Sequence, residues 1–264
     1  MWYPDNADRL RAQIQDYLNA VEVEMPGGKI VGLMAPHAGY QYSGPVAAHA
    51  FKLVEGMAFD TVAVLSPMHR PHSGHTLTTS YDQYYTPLGN VPVDTEALKA
   101  LDAAGVSLNR VGREQEHSLE IELPFLQIVL SDYFKLIPLM LREQSAADVE
   151  QLGHALAEVL RGRNALLVAS SDLSHFYDQD TAERLDARML DAVADFDPER
   201  VIALEKQGEA FACGRNAIAA VMWAARELGA DSAKVVRYGT SGDASGDYGR
   251  VVGYGSAVFY DSKG

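Results

Sequence analysis

Short runs of apolar, often β-branched residues alternate along the chain with longer segments whose apolar positions recur every three or four residues. The runs at 30–35, 61–65, 136–141, 165–169, 234–238 and 251–259 read as strands. Helices are predicted over 7–18, 45–54, 95–104, 118–130, 146–160, 181–194 and 215–228. Residues 77–93, with their tyrosines and two prolines, read as an irregular hairpin instead of a core strand. Strands alternating with helices predict the α/β class: a mostly parallel or mixed central sheet with helices on both faces. No proline-, glycine- or serine-rich linker and no repeat period divides the sequence, so residues 1–264 are expected to form one domain.

Polar residues with chemical potential gather just past the predicted strands. "GLMAPHAGY" puts His37 after the first, and "VAVLSPMH" puts His69 after the second. "LLVASSDLSH" puts Asp172 and His175 after another, and "VVRYGTSGDASGD" puts Asp243 and Asp247 after a fourth. In open α/β sheets, ligands bind in the crevice outside the carboxyl ends of the strands, where loops from separate strands converge. The clustering therefore predicts a site at that edge.

Each cluster also has a plainer explanation. His37 can be a hydrogen-bonded histidine at a strand end. In "SPMHRPHSGH", 66–75, three histidines share one loop; His69 follows the strand most closely, so its backbone is best fixed and it is the ligand candidate. His72 and His75 are left as outer or substrate-facing residues. In "EQEHSLEIELPF", Glu114 and Glu116 suit a helix N-terminus and its dipole, whereas His117 is a candidate neutral hydrogen-bond donor. "SSDLSH" can cap a following helix, but His175 near a carboxylate can also do acid–base work. Turn chemistry explains the Asp-Gly pattern of "TSGDASGD", and the same loop can add a carboxylate to two imidazoles. Two histidines and one carboxylate suit non-haem Fe(II).

Composition narrows the partners. Acidic residues outnumber basic ones by 36 to 22, a formal charge of −14 that disfavours nucleic acid and anionic lipid. No apolar run approaches membrane-spanning length and the N-terminus lacks a signal pattern, so a cytoplasmic location is expected. The single Cys213 rules out an intramolecular disulfide framework and a multi-thiolate zinc site.

In order along nearly the whole chain, "APHAGYQYSGPVAAHAF", "SPMH", "YYTPLGNVPVD", "EHSLEIELPF", "SSDLSHF", "CGRNAI" and "GYGSAVF" resemble the Memo family, including the proteins called AmmeMemoRadiSam system protein B. That family is similar to class III extradiol ring-cleavage dioxygenases. The resemblance implies their α/β fold and a metal site with His37 and His69 as ligands. For the third ligand it points to the late loop, where this chain reads Gly242-Asp243-Ala244; Asp243 is expected, since alanine cannot ligate. It further implies His175 as the catalytic histidine and His117 as a second active-site histidine. Cys213 falls outside that set and is expected to pack in the interior.

The activity so implied is that of a non-haem Fe(II) dioxygenase-type oxidoreductase on an unidentified small molecule, with Zn or Cu as other metals. The same cleft can instead serve an adaptor that binds a peptide, with Arg70, Arg113 and Arg215 offsetting the negative charge. A zinc-dependent hydrolase is a third reading. The family's bacterial name implies an Ammecr-type protein and a radical SAM enzyme as partners.

Overall fold

The computed structural model describes residues 2–112 and 115–264. At its centre four parallel strands lie side by side, in the order β1 (Lys29–Ala35), β8 (Ala165–Ser170), β2 (Thr61–Pro67) and β7 (Lys135–Leu141). On one flank β11 (Val251–Asp261) pairs antiparallel with β1, and both β10 (Ser232–Thr240) and β9 (Asp172–Tyr177) pair antiparallel with β11. On the other flank β3 (Thr76–Thr79) runs antiparallel to β7 and parallel to β6 (Leu108–Val111). Among the described residues these nine strands form one mixed sheet. A separate hairpin joins β4 (Gln83–Thr86) to β5 (Gly89–Pro92).

The central strands are apolar on both sides because helices cover both. Successive residues of β2 divide between the two cores: Val62 and Val64 face one way, Ala63 and Leu65 the other. β8 does the same with Leu166 and Val168 against Leu167 and Ala169. The first face is covered by α1 (Ala7–Asn19), α2 (Tyr40–Lys52) and α4 (Leu123–Val129). The second is covered by α3 (Thr95–Ala103), α5 (Ala146–Leu160), α6 (Gln179–Ala194), α7 (Pro198–Lys206) and α8 (Arg215–Glu227). Each fully buried leucine contributes about 2 kcal/mol of transfer free energy.

Helix starts follow from local chemistry. Asn6, Asp94, Asp178 and Asp197 accept backbone N–H groups of the first turns of α1, α3, α6 and α7. Ser145 and Asp148 form a reciprocal capping box on α5. α8 is buried on every side from Asn216 to Ala225, and it presses close to α5. A Cβ on Gly153 would lie 2.7 Å from Trp223 Cβ.

Several boundaries differ from the pattern-based expectation. α2 begins at Tyr40 and carries Pro45 inside it, so the helix does not wait for the proline. The segment expected as one helix from 118 opens with a 3-10 turn, Glu120–Glu122, before α4. "SSDLSH", 170–175, is expected as a capping turn, but from Asp172 the chain forms β9 because β11 offers a free edge there. Within 77–93 the hairpin exists, but Leu77 belongs to β3 of the main sheet. No helix among the described residues is long and apolar enough to cross a membrane.

Candidate metal centre

The carboxyl ends of β1, β8 and β2 converge with the start of α8. His37 lies two residues beyond β1 and is buried; His69 lies two residues beyond β2 and is partly open to solvent. Their ring centroids are 5.5 Å apart. His117 completes a triangle, 5.8 Å from His37 and 5.7 Å from His69, and stacks almost parallel to the latter. The indole of Trp2 lies on its other side, 3.6 Å between centroids. The Trp2 carbonyl accepts the Tyr40 N–H at 2.9 Å, which fixes the N-terminal segment over the site.

Cys213 joins this group from the start of α8 and not from a strand end. Its Sγ lies 3.3 Å from His37 Nε2, and its backbone N–H donates to the Asp172 carbonyl at 3.2 Å. Gly214 makes the approach feasible: a Cβ there would lie 2.3 Å from Ser170 O and 2.7 Å from Ser171 Cβ. Its N–H instead donates to Ser171 Oγ at 2.9 Å. Ligand atoms of His37, His69 and Cys213 all fall within 4.8 Å of one another. The same closeness holds for His69, Glu116 and His117.

Polar partners hold each ring. His37 Nδ1 pairs with Ser170 Oγ at 2.9 Å, and Ser170 Oγ also contacts Ser118 O at 2.6 Å and Glu122 Oε1 at 2.7 Å. The hydroxyl has one proton to give to an oxygen, so the His37 Nδ1–H donates to Ser170 and the Nε2 lone pair faces Cys213. Asp172 Oδ1 accepts the His37 backbone N–H at 2.8 Å. His69 is fixed by Glu116: Oε2 accepts its backbone N–H at 2.6 Å, and Oε1 meets its Nδ1 at 3.0 Å. Oε1 also accepts the N–H groups of His117 and Ser118, at 2.9 and 3.1 Å. A carboxylate on the far nitrogen is the usual way to orient a metal-binding imidazole.

Electrostatics follow this geometry. Burial, with the nearby His69 charge, pushes the His37 imidazole down to about 3, so it is neutral at pH 7. Burial also lowers His117, to about 4. The hydrogen bond to Glu116 raises His69. Burial alone would raise Glu116, but the His69 ring and the N–H groups around it bring its carboxyl down to about 2. Burial and the Asp172 carboxylate raise the Cys213 thiol well above its ordinary value. Burial likewise raises Glu122 and Asp172.

The other candidates divide. His175 sits on β9, its Nδ1–H donating to Leu173 O at 2.8 Å, between the rings of Phe176 and Phe211. It is near enough for its charge to act on His37 and Asp172. The next residue, Phe176, is held at φ 66°, a left-handed conformation uncommon for a bulky side chain, with Arg250 over its ring. Asp243 is not brought to the histidines. It is exposed in a short helical turn, α9 (Gly242–Ser245), where its Oδ2 accepts the Thr240 N–H at 2.9 Å. Turn capping accounts for it, and the side chain beside His37 Nε2 is that of Cys213. Cys213 packs in the interior as expected, and its thiol in addition faces the His37 imidazole.

His72 and His75 stay on the surface, bonded to the carbonyls of Ser73 and Glu143. Of the three arginines, Arg70 is exposed, Arg113 lies outside the described residues, and Arg215 pairs with Glu205 and Glu143. Glu116, which suits a helix start by its charge, is buried and holds His69. Its signal was its place immediately before His117, in a stretch that must close over the end of β2.

A family model described as "Memo-like protein" matches residues 1–258. A MEMO1 family protein of Nitrosopumilus maritimus is 36% identical over 232 residues, covering 87% of this chain and 84% of that protein. One from Methanococcoides burtonii is 35% identical over 259 residues, covering 97% and 96%. Another, from Methanosarcina mazei, is 31% identical over 259 residues, covering 97% and 95%.

Proposed function

The chain belongs to the Memo family, and from that premise we propose that it holds one metal ion through His37, His69 and Cys213 and acts as a dioxygenase-type oxidoreductase on a small molecule. The observation that carries the metal reading is the 3.3 Å separation of Cys213 Sγ and His37 Nε2. Nitrogen and sulfur ligands of one tetrahedral ion, at about 2.1 and 2.3 Å from it, stand roughly 3.6 Å apart. The pair is therefore already near ligand spacing. His37 is neutral with Nε2 free, and the raised thiol would release its proton to the solvent on metal binding.

Fe(II) is the metal that the family resemblance favours; bound here it would supply open coordination positions and a second accessible oxidation state. A thiolate with two imidazoles also suits zinc or copper, which elemental analysis separates from iron. The surrounding residues supply the rest. His175, anchored through Nδ1, has Nε2 to exchange a proton with a substrate hydroxyl. His117, neutral because of burial, serves as a hydrogen-bond donor. Trp2 shields its outer face.

A second reading, docking of a partner peptide beside the same site, is favoured by the exposed aromatic residues Phe176 and Tyr177 next to His175. The test is anaerobic purification with elemental analysis of the parent and of His37→Ala, His69→Ala, Cys213→Ala and Asp243→Ala, followed by oxygen uptake with a catechol panel. Loss of metal in the first three variants and retention in Asp243→Ala is expected. Metal that survives Cys213→Ala but not Asp243→Ala would reinstate the carboxylate site. A loaded protein inert to every catechol but retaining a bound peptide would favour docking.

A further inference from the structure

Beside His69 and Cys213 lies a cavity of 190 Å³. Its volume matches roughly six water molecules, enough for a one-ring compound and too little for a folded peptide segment. Arg142 and Arg215 both line it, with Glu143 as the only carboxylate among the lining residues. In a chain of net charge −14 this is a locally cationic wall.

The two guanidinium groups are held differently. Arg215 is mostly buried, 13% exposed, and donates to Glu205 Oε1 at 2.7 Å. Its other ion pair is with Glu143, whose side chain is 73% exposed. An exposed carboxylate in water contributes little to stability and can swing away, whereas the Glu205 pair anchors the guanidinium in place. Arg142 gives one N–H to the His72 carbonyl and has no carboxylate in ion-pair reach among the described residues. Asn216 Nδ2 donates to the Arg142 carbonyl at 3.1 Å, and His75 bonds the Glu143 carbonyl, so the loop that carries both residues is fixed at both sides. Here the outer histidines of the "SPMHRPHSGH" loop find a role: they brace the cavity wall through backbone contacts.

We propose that this cavity is the substrate's anion subsite: Arg142 and Arg215 hold the carboxylate or phosphate of a small acidic molecule, displacing Glu143, while the rest of it reaches His69 and Cys213. A planar guanidinium matches either oxyanion with paired hydrogen bonds. The substrate class rests on the metal-centre reading above, but the anion site does not need a loaded metal to be measured.

The test is calorimetric titration of the full chain with benzoate, phenyl phosphate and neutral benzamide, with and without added Fe(II), alongside metal analysis of each variant. Benzoate or phenyl phosphate should bind saturably and benzamide should not; the tighter of the two acids identifies the substrate's acidic group. Arg215→Gln should weaken the acid about tenfold or more. Glu143→Gln, at an exposed position that leaves folding intact, should tighten it about threefold by removing the internal competitor. Both variants should retain their metal. Benzamide binding as tightly as benzoate, or Glu143→Gln leaving acid affinity unchanged, would overturn the proposal. If no variant binds metal but the acid still binds in an Arg215-dependent way, the oxidoreductase reading falls and the anion site stands.

Discussion

Replacing Glu116 with glutamine tests whether the site is held by its surroundings or only by its ligands. The carboxylate takes four donors: the His69 N–H at Oε2, and His69 Nδ1 with the His117 and Ser118 N–H groups at Oε1. A glutamine has one acceptor oxygen, and its less costly orientation keeps that oxygen at the three-donor end. The new NH2 then faces the His69 N–H, donor against donor, in a position where the native side chain is 1% exposed. An unmet buried donor costs about 1–3 kcal/mol, and losing the charge on the other bonds adds to it, so a destabilisation of about 3 kcal/mol is expected. Metal affinity should fall about 10- to 100-fold, because His69 loses the group that sets its ring, while the bound stoichiometry is unchanged. Urea unfolding of the metal-free variant reads the first quantity and chelator competition the second. A variant within about 0.5 kcal/mol of the parent and equal in metal affinity would refute the orienting role. Complete loss of metal, with His69 still folded in place, would instead make Glu116 a ligand.

Other outcomes follow from buried groups nearby. Gly214→Ala should cost about 1–3 kcal/mol and weaken metal retention in the same sample, since its Cβ would meet Ser170 O at 2.3 Å and push Cys213 from His37; unchanged stability and retention would mean that the helix start is not packed as described. Asp186 is buried, accepting the Ser174 N–H at 2.8 Å and the Tyr238 hydroxyl at 2.9 Å, and burial raises its carboxyl above 3.8. A raised acid favours the folded state below its unfolded pKa and loses that contribution as pH rises through the folded value. Asp186→Asn keeps an acceptor for Ser174, so its stability should decline less than the parent's between pH 4 and neutrality in a series of unfolding curves; parallel curves would refute the assignment.

Much of the sheet and half of the candidate site are legible in the sequence for one reason. A buried parallel strand is an unbroken apolar run, so the ends of β1 and β2, and with them His37 and His69, can be read directly. Cys213 was hidden because it follows no strand. Only packing brings the start of α8 to the sheet edge, through Gly214 lying against Ser170 and Ser171. β9 was hidden for a related cause: whether "DLSHFY" caps a helix or pairs with β11 depends on an edge some 80 residues later. Asp243 has the chemistry of a ligand, but it lies in the turn after β10. The polarity of its loop is spent on the turn that ends β10, where Thr240 takes its carboxylate.

The burial of α8 on all sides also bears on how an ion would leave. Cys213 stands at the tip of a rod that is buried on all sides in the core of the second face, and His37 is clamped between Asp172 and Ser170. His69 is partly open to solvent, and the loops around it can open locally at far lower cost. The three donors are therefore unequal in time. Release should begin with His69 swinging outward, through brief openings too small to register as unfolding, and the ion's residence time should track the flexibility of those loops instead of the melting temperature of the whole chain.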